Sequence, residues 1–406
     1  MLHVAGDGSD GGASVQYDRP MAWDDDTRQD SAPKRRNGAT IKDVARRAGV
    51  SHVTVSRVMN SSQLVVPTTA ARVQEAARAL GYAPNVLARG LVRGASRTLG
   101  LLASDTTSPF VAELVRAVCK VADDEGYVVN ICVTDLSPER ELRALDSFVE
   151  HRVAGLIVGP PNRTAGDACI AELAGGGLPV ISVQRHLAHP AVHVIAGDSK
   201  GGSLEATTHL LGLGHRRIGY ITGSPEVGAG PDKLQGHLDA MTLHKVASDQ
   251  DLIMASGLGP RDGYTATQAL LGRAPRPTAI LAFSDAVAIG ALSAITAAGL
   301  RVPEDISVIG FDDVAYAAHT GPPLTTVHQP IAELGQLAAR RLIDAIAGLR
   351  PACVSTVLPC TLVIRASTGP VRDLPRSPDT DSTSQRARAS MAALQVPASG
   401  RSNRQG

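Results

Sequence analysis

The 406-residue chain is poor in aromatic side chains, which make up 3% of it, and its single tryptophan is Trp23. Its cores must therefore be aliphatic and alanine-rich, which a hydrophobic content of 43% permits. No apolar run approaches the ~20 residues of a bilayer span. The N-terminal MLHVAGDGSDGG lacks a basic segment followed by an apolar one, so a cytoplasmic location is expected. Five cysteines (Cys119, Cys132, Cys169, Cys353, Cys360) are odd in number and form no CxxC pair. That argues for reduced thiols rather than a disulfide frame. Enzymatic signatures are missing too. The stretch GAGPDK (Gly228 to Lys233) lacks the G-K-[ST] ending of a phosphate loop, and no G-x-S-x-G elbow is present. His186, His189 and His193 lie close together without a cysteine or paired acid, a poor set of metal ligands. The expectation is a chain that is not an enzyme and needs no metal or cofactor.

What is present is organised around Thr40 to Asn60, TIKDVARRAGVSHVTVSRVMN. Thr40 followed three residues later by Asp43 predicts a capping box at the start of a helix. Ile41, Val44, Ala45 and Ala48 share a face at helical spacing, and Gly49 can end that helix in the left-handed conformation. Ser51 can cap a second helix whose buried face is Val55, Val58 and Met59. His52, Val53, Thr54, Ser56, Arg57 and Asn60 then point elsewhere. Two short helices around a tight turn suit a helix-turn-helix, whose second helix enters the DNA major groove. A plain helical hairpin with a solvated face has the same spacing, so spacing alone leaves both readings open.

Charge separates them. From Ala39 to Arg97 there are nine Lys/Arg (Lys42, Arg46, Arg47, Arg57, Arg72, Arg78, Arg89, Arg93, Arg97) against Asp43 and Glu75, a net +7. The whole chain is +1, so the rest is 1 − 7 = −6. A compact basic segment on an acidic body is the footprint of phosphate binding confined to one end.

Beyond Thr98 short apolar runs alternate with amphipathic ones. Strands are predicted at 99–103, 127–133, 155–158, 180–183 and 193–195, then at 218–222, 251–254, 279–283, 306–309 and 356–364. Helices are predicted near 110–125, 138–150, 201–213, 232–245, 263–272, 286–299 and 331–348. This alternation predicts an α/β core with parallel sheets covered on both faces, and ten strands predict two doubly wound lobes. Ligands of such lobes sit beyond the carboxyl ends of the strands, here in a cleft between the two.

After a third helix from about Pro67 to Leu80, three segments taken together carry a resemblance. They are D-V-A-x-x-A-G-V-S (Asp43 to Ser51), T-V-S-R-V-x-N (Thr54 to Asn60) and G-Y-x-P-N-x-x-A-R-x-L (Gly81 to Leu91). In order and spacing they resemble the headpiece and hinge helix of the lactose/galactose repressor family of bacterial transcription factors. GHRRIGYITG (Gly214 to Gly223), ISVIGFDD (Ile306 to Asp313) and PLTTVHQP (Pro323 to Pro330) extend it into a periplasmic-binding-protein-like core. The resemblance implies a repressor whose partners are an operator duplex, a second copy of the chain and a small effector, most commonly a sugar. The rival is a solute-binding protein or cytoplasmic enzyme in which residues 39–97 form a helical docking module.

The implied organisation is a disordered extension (1–38), a DNA-binding headpiece (39–84), a hinge helix with linker (85–97), an effector-binding and dimerisation core (98–368) and a disordered tail (369–406). Within the core, lobe 1 takes about 98–196 and 330–351, and lobe 2 about 197–327 and 353–368. The crossovers are expected near Gly197, Val327 to Pro330, and Pro351 to Cys353. His52 and Val53 match the variable positions that meet bases, and Thr54, Ser56, Arg57 and Asn60 match contacts to bases and backbone, with Thr40 and Ser51 at the helix starts. Asn85 and Ala88 match residues along the minor groove, and Leu91 the leucine that wedges between base pairs. Val66 precedes Pro67 where a Ser or Thr cap is usual. The implied effector-binding residues are Phe110, Gln184, Lys233, Leu258, Asp285 and Asp312. Lys233 stands where an arginine is usual, Gln184 where an aspartate is common, and Leu258 where some members carry an aromatic. For Asp285, helix capping is the competing role.

Overall fold

The computed structural model describes residues 39–59, 65–82, 96–160, 165–223, 228–349 and 355–371. The chain separates into two compact units, residues 1–89 and 90–406.

Among the described residues the first unit has three helices. Helix α1 (Ile41–Ala48) starts at the capping box of Thr40 and Asp43 and stops at Gly49 with φ +62°. Such a cap is worth about 1 kcal/mol, which matters for an eight-residue helix. Helix α2 (His52–Met59) starts where the Ser51 hydroxyl accepts the Thr54 N–H at 3.1 Å. Helix α3 (Pro67–Ala79) has Pro67 at its first position, but Val66 supplies no side-chain cap. Val44, Ala45, Ala48, Val55, Val58, Val73, Ala76 and Ala77 form the core, with Met59 and Tyr82 packed on its edge.

The second unit contains two six-stranded sheets. One has the order β11-β5-β4-β3-β1-β2, from β1 (Thr98–Ala103), β2 (Val128–Val133), β3 (Gly155–Val158), β4 (Val180–Val183), β5 (Val192–Gly197) and β11 (Thr356–Leu358). The other has the order β12-β10-β9-β8-β6-β7, from β6 (Ile218–Thr222), β7 (Ile253–Ala255), β8 (Ala279–Ala282), β9 (Ser307–Asp312), β10 (Thr325–His328) and β12 (Thr361–Val363). Every pairing is parallel except β10 with β12. Buried strands such as β3, β4 and β8 have no exposed face, which is why they read as unbroken apolar runs. The helices are α4 (Pro109–Asp124), α5 (Pro138–Glu150), α6 (Asp167–Gly175), α7 (Ser199–Gly212), α8 (Gly230–Leu243), α9 (Pro260–Leu271), α10 (Asp285–Ala297) and α11 (Ile331–Ile346). None of the described helices is long and apolar enough to cross a membrane.

The chain leaves the first sheet at Gly197 and enters the second lobe through α7. It returns after β10 through α11, whose Ile331, Leu334, Ala338 and Leu342 pack into the core of the first lobe. The third passage differs from expectation. The single strand anticipated over 356–364 is two strands in different sheets, separated at Pro359 and Cys360. The lobes therefore exchange there, after β11 has joined the first sheet, rather than at Pro351 to Cys353, which lie outside the described residues. Proline lacks the N–H that would continue a ladder. Gly369 to Val371, expected to belong to the tail, are held against the second lobe. Gly369 N–H donates to the Ser307 hydroxyl, and Val371 N–H to the Leu213 carbonyl, so the backbone is tied to the second lobe through Val371.

Candidate functional site

Two surfaces carry chemistry, one in each unit. On the first unit α2 buries Val55 and Val58, and its first turn leaves His52 and Val53 exposed. Arg57, in its last turn, is exposed as well, while Thr54 and Ser56 are half-buried. Thr54 Oγ1 lies 2.9 Å from Ser51 Oγ, so these two hydroxyls form one polar step at the turn. Thr40 and Asp43 are committed to each other in the cap, a positioning role rather than a free contact. Val53, an apolar side chain, is 46% exposed. A helix start offering a histidine, a small apolar group and hydroxyls, followed by an arginine one turn on, matches the donors and methyl contacts that read base edges. Asn60, Asn85, Ala88 and Leu91 lie outside the described residues.

The second surface is a cleft of about 150 Å³ in the second unit, room for one ring-sized molecule. Its walls are the carboxyl ends of strands from both sheets, as doubly wound lobes require. Ser104 and Asp105 follow β1, Gln184 follows β4, Leu258 follows β7, Phe283 and Ser284 follow β8, Asp312 ends β9 and Gln329 follows β10. Phe110 reaches the cleft from the first turn of α4, and Lys233 from the first turn of α8. The sequence-predicted residues Phe110, Gln184, Lys233, Leu258 and Asp312 thus meet in one place.

Asp285 does not. Ser284 is the cap of α10, accepting the Val287 N–H, and Asp285 is fully buried behind the cleft wall. Its carboxylate accepts the Thr326 hydroxyl at 2.5 Å and the Val314 N–H at 2.8 Å, binding α10 to β10 and to the loop after β9. Neither capping nor ligand contact describes it. Burial, with the Asp312 carboxylate next, pushes its acid up to about 7.

Lys233 is buried, and its ammonium donates to the Phe283 carbonyl at 2.9 Å. It stands 3.8 Å from the ring centre of Phe311, 4.3 Å from that of Phe283 and 3.8 Å from Asp312 Oδ1. An arginine fork would aim two donors at a ligand, whereas this compact charge is held by ring faces and one carboxylate. Burial pushes Lys233 down and Asp312 up, and the attraction between them opposes both shifts. Gly236, one turn along α8, lets the helix seat this way, because a Cβ there would overlap the Lys200 carbonyl of α7. Asp312 has φ +118° and Asp313 +60°, so the turn that presents the carboxylate holds two non-glycine residues in costly backbone conformations.

Gln329 and Phe283 belong to the cleft and were not among the predicted residues. Gln329 stands inside the PLTTVHQP segment, and Phe283 is the last residue of the strand predicted over 279–283, so both signals are present in the sequence. Beneath the cleft, Arg185 is buried with two acids of the first lobe. Its Nη2 lies 2.7 Å from Glu141 Oε1 and 2.5 Å from Asp167 Oδ1, and its Nε donates to the same Asp167 oxygen at 2.7 Å. Outside the cleft lining, His186 Nε2 is 2.8 Å from Asp232 Oδ2 on α8, His189 accepts the Ala191 N–H, and His193, at the amino end of β5, bonds Thr356. Among the described residues no group of three metal-ligating side chains forms.

Residues 40–85 match the model of bacterial regulatory proteins of the lacI family, and residues 207–368 match that of a periplasmic binding protein-like domain. The chain is 35% identical over 341 residues to the HTH-type transcriptional repressor CytR of Escherichia coli (strain K12), covering 83% of this chain and 98% of that one. Among solved structures it is similar to the lac repressor dimer bound to operator and the anti-inducer ONPF, with a TM-score of 0.75 and 30% identity over 82% of this chain and 100% of that one. It is also similar to the transcriptional regulator CelR in complex with cellobiose, with a TM-score of 0.62 and 32% identity over 81% of this chain and 99% of that one.

Proposed function

The chain belongs to the lacI family of bacterial regulatory proteins, and from that premise we propose that it is a repressor whose grip on an operator is set by a small polar molecule in the cleft. It is a DNA-binding transcriptional regulator rather than an enzyme. The observation that carries the reading is the pairing of an exposed, base-reading face on α2 with a ring-sized cleft that holds a carboxylate, a lysine and phenylalanine rings. The effector is of the sugar class: Asp312 accepts its hydroxyls, Phe110 covers its ring, and Gln184, Lys233 and Leu258 complete the walls. The cellobiose seen in CelR supports that class.

The operator is a pseudo-palindrome read by a homodimer, since a two-fold protein matches two half-sites. Residues 39–84 read the major groove, and 85–97 form the hinge, with Asn85 and Ala88 along the minor groove and Leu91 as the wedge. The exposed apolar side chains of Val128, Ile131, Leu142 and Val149, on the edge strand β2 and on α5, support a second copy as the partner of the first lobe. The protein works in the cytoplasm, on nucleoid DNA. The effector favours one geometry of the cleft, and the coupling equals its differential affinity for the two geometries.

The test is Arg57→Ala on the full chain, measured by anisotropy against duplexes that the wild-type protein selects from a random pool. Without bidentate hydrogen bonds to guanine, affinity for the selected site should weaken by about 1–3 kcal/mol, and one base position should relax. Lys42→Ala should instead weaken all sequences alike and flatten the salt slope by about one. An Arg57→Ala protein as tight and as selective as wild type would remove the recognition helix from the account.

A further inference from the structure

In the wall of the cleft, three side chains and one backbone N–H form a single line of hydrogen bonds. Gly197 N–H donates to Gln184 Oε1 at 3.1 Å, Gln184 Nε2 donates to Gln329 Oε1 at 2.7 Å, and Gln329 Nε2 donates to Asp312 Oδ1 at 2.6 Å. A carboxamide has one donating and one accepting end. The Gly197 N–H can only donate, so it decides which end of Gln184 faces it. Gln184 in turn decides the orientation of Gln329, and Gln329 offers Asp312 a donor. The line therefore has a direction, and it ends on an oxygen that must accept.

Its route crosses the hinge. Gln184 follows β4 in the first lobe with φ +54°, Gly197 is the first crossover, Gln329 is the second, and Asp312 ends β9 in the second lobe. Gln184, Gln329 and Asp312 are all buried in the cleft wall, where a member that points the wrong way is costly. Gly197 has no slack either, since a Cβ there would stand 3.0 Å from Cys360 Sγ and 3.2 Å from Gln329 Oε1. Among the described residues the partners of the Asp312 carboxylate, the Gln329 amide at 2.6 Å and the Lys233 ammonium at 3.8 Å, are both on Oδ1, which leaves Oδ2 for the cleft.

We propose that Gln184 and Gln329 are positioning residues that hold Asp312 as an acceptor toward the cleft and join it to both crossovers, so that lobe rotation and the hydrogen bonding of Asp312 change together. The regulatory meaning rests on the cleft being the effector site, while the line itself is testable without effector or DNA.

Gln184→Glu keeps the shape and puts oxygen at both ends. Gly197 is still satisfied, but Gln329 must then turn its donor to the introduced carboxylate and present its carbonyl to the Asp312 carboxylate. A proton on either acid repairs the line. Gln184→Leu cuts it, and no proton restores it. The groups facing Asp312 are Lys233 on α8, Asp285 on α10, Tyr316 after β9 and Cys360 at the third crossover. They are present in every variant, and Gln184→Leu, which adds no charge, shows how their own titration responds to the loss of the line.

The experiment is the melting temperature of the full chain from about pH 5 to pH 8. Folded Gln184→Glu takes up a proton that its unfolded chain does not hold above the ordinary carboxylate range, so its stability relative to wild type rises as pH falls. The expected result is a deficit of several degrees near pH 8 that narrows severalfold by pH 5, against a deficit in Gln184→Leu that stays constant. Parallel profiles for the two variants, or no deficit in Gln184→Glu, overturn the directed line. Hydrogen exchange tests the tie to the crossovers: Gln184→Leu, which removes the acceptor of the Gly197 N–H, should speed exchange of that amide about tenfold, the worth of one hydrogen bond. An unchanged rate overturns that tie. Either failure leaves effector binding in the cleft standing, and failure to find an effector leaves these two results standing.

Discussion

Removing residues 1–97 is expected to abolish DNA binding while the remaining unit still melts cooperatively. That unit keeps four hydrophobic clusters of its own, and the cut removes a segment, Ala39 to Arg97, that carries +7 against −6 for the rest of the chain. Coulomb attraction to phosphate is the sequence-independent part of affinity, and it resides in that segment. A dimer that neutralises about 6–10 phosphates should lose three to five decades of affinity between roughly 50 and 200 mM salt. Anisotropy titrations of the full and shortened chains on one duplex, at several salt concentrations, measure both effects. Salt-dependent binding that survives the cut would place the DNA surface on the wrong unit.

Arg185→Met is expected to be the most destabilising single change in the second unit. Among the described residues Arg185 is the largest fully buried side chain, and it sits between Glu141, itself buried, and Asp167. A buried ion pair adds little over an apolar replacement of the whole cluster, but removing one partner leaves uncompensated charge at about 3–5 kcal/mol. At about 2–4 °C per kcal/mol the melting temperature should fall by on the order of 10 °C. Neutralising the acids as well, as Arg185→Met with Glu141→Gln and Asp167→Asn, should return much of the loss. Calorimetry of the three proteins separates the cases. A single variant as stable as wild type would mean that the acids reach water, and a triple variant no better than the single one would put the cost in packing.

Local chemistry was legible and distant pairing was not. The cap of Thr40 and Asp43, the stop at Gly49 and the apolar strands of both lobes depend on neighbours a few residues away, so their pattern survives in one dimension. β10 is not legible in the sequence, because Thr325 and Thr326 are polar residue types. Both are buried, satisfied by partners 40 and 41 residues away: the Arg365 N–H bonds Thr325, and Thr326 bonds Asp285. That same bond explains why Asp285, at a helix start, reads as a cap or a ligand contact when it is a strut. Arg185 has its acids 18 and 44 residues away, and Gln184 meets Gln329 across 145 residues, separations that no periodicity records. The split of 356–364 at Pro359 was visible as a proline but not as a change of sheet, because both halves are β-prone. Gln329 lay in plain view within a recognised motif, yet its use depends on where Gly197 and Asp312 are brought.

The central claim is that occupancy of the cleft changes the affinity for DNA. Its most direct test is binding of the full chain to a selected duplex in the presence of each sugar or nucleoside that raises the melting temperature of the protein. The account predicts that such a compound shifts the dissociation constant by about 5–150-fold, the range of a coupling of 1–3 kcal/mol, and that the duplex shifts the affinity for the compound by the same factor. A compound that binds at the cleft, loses its effect in Asp312→Ala, and leaves DNA affinity unchanged would contradict it.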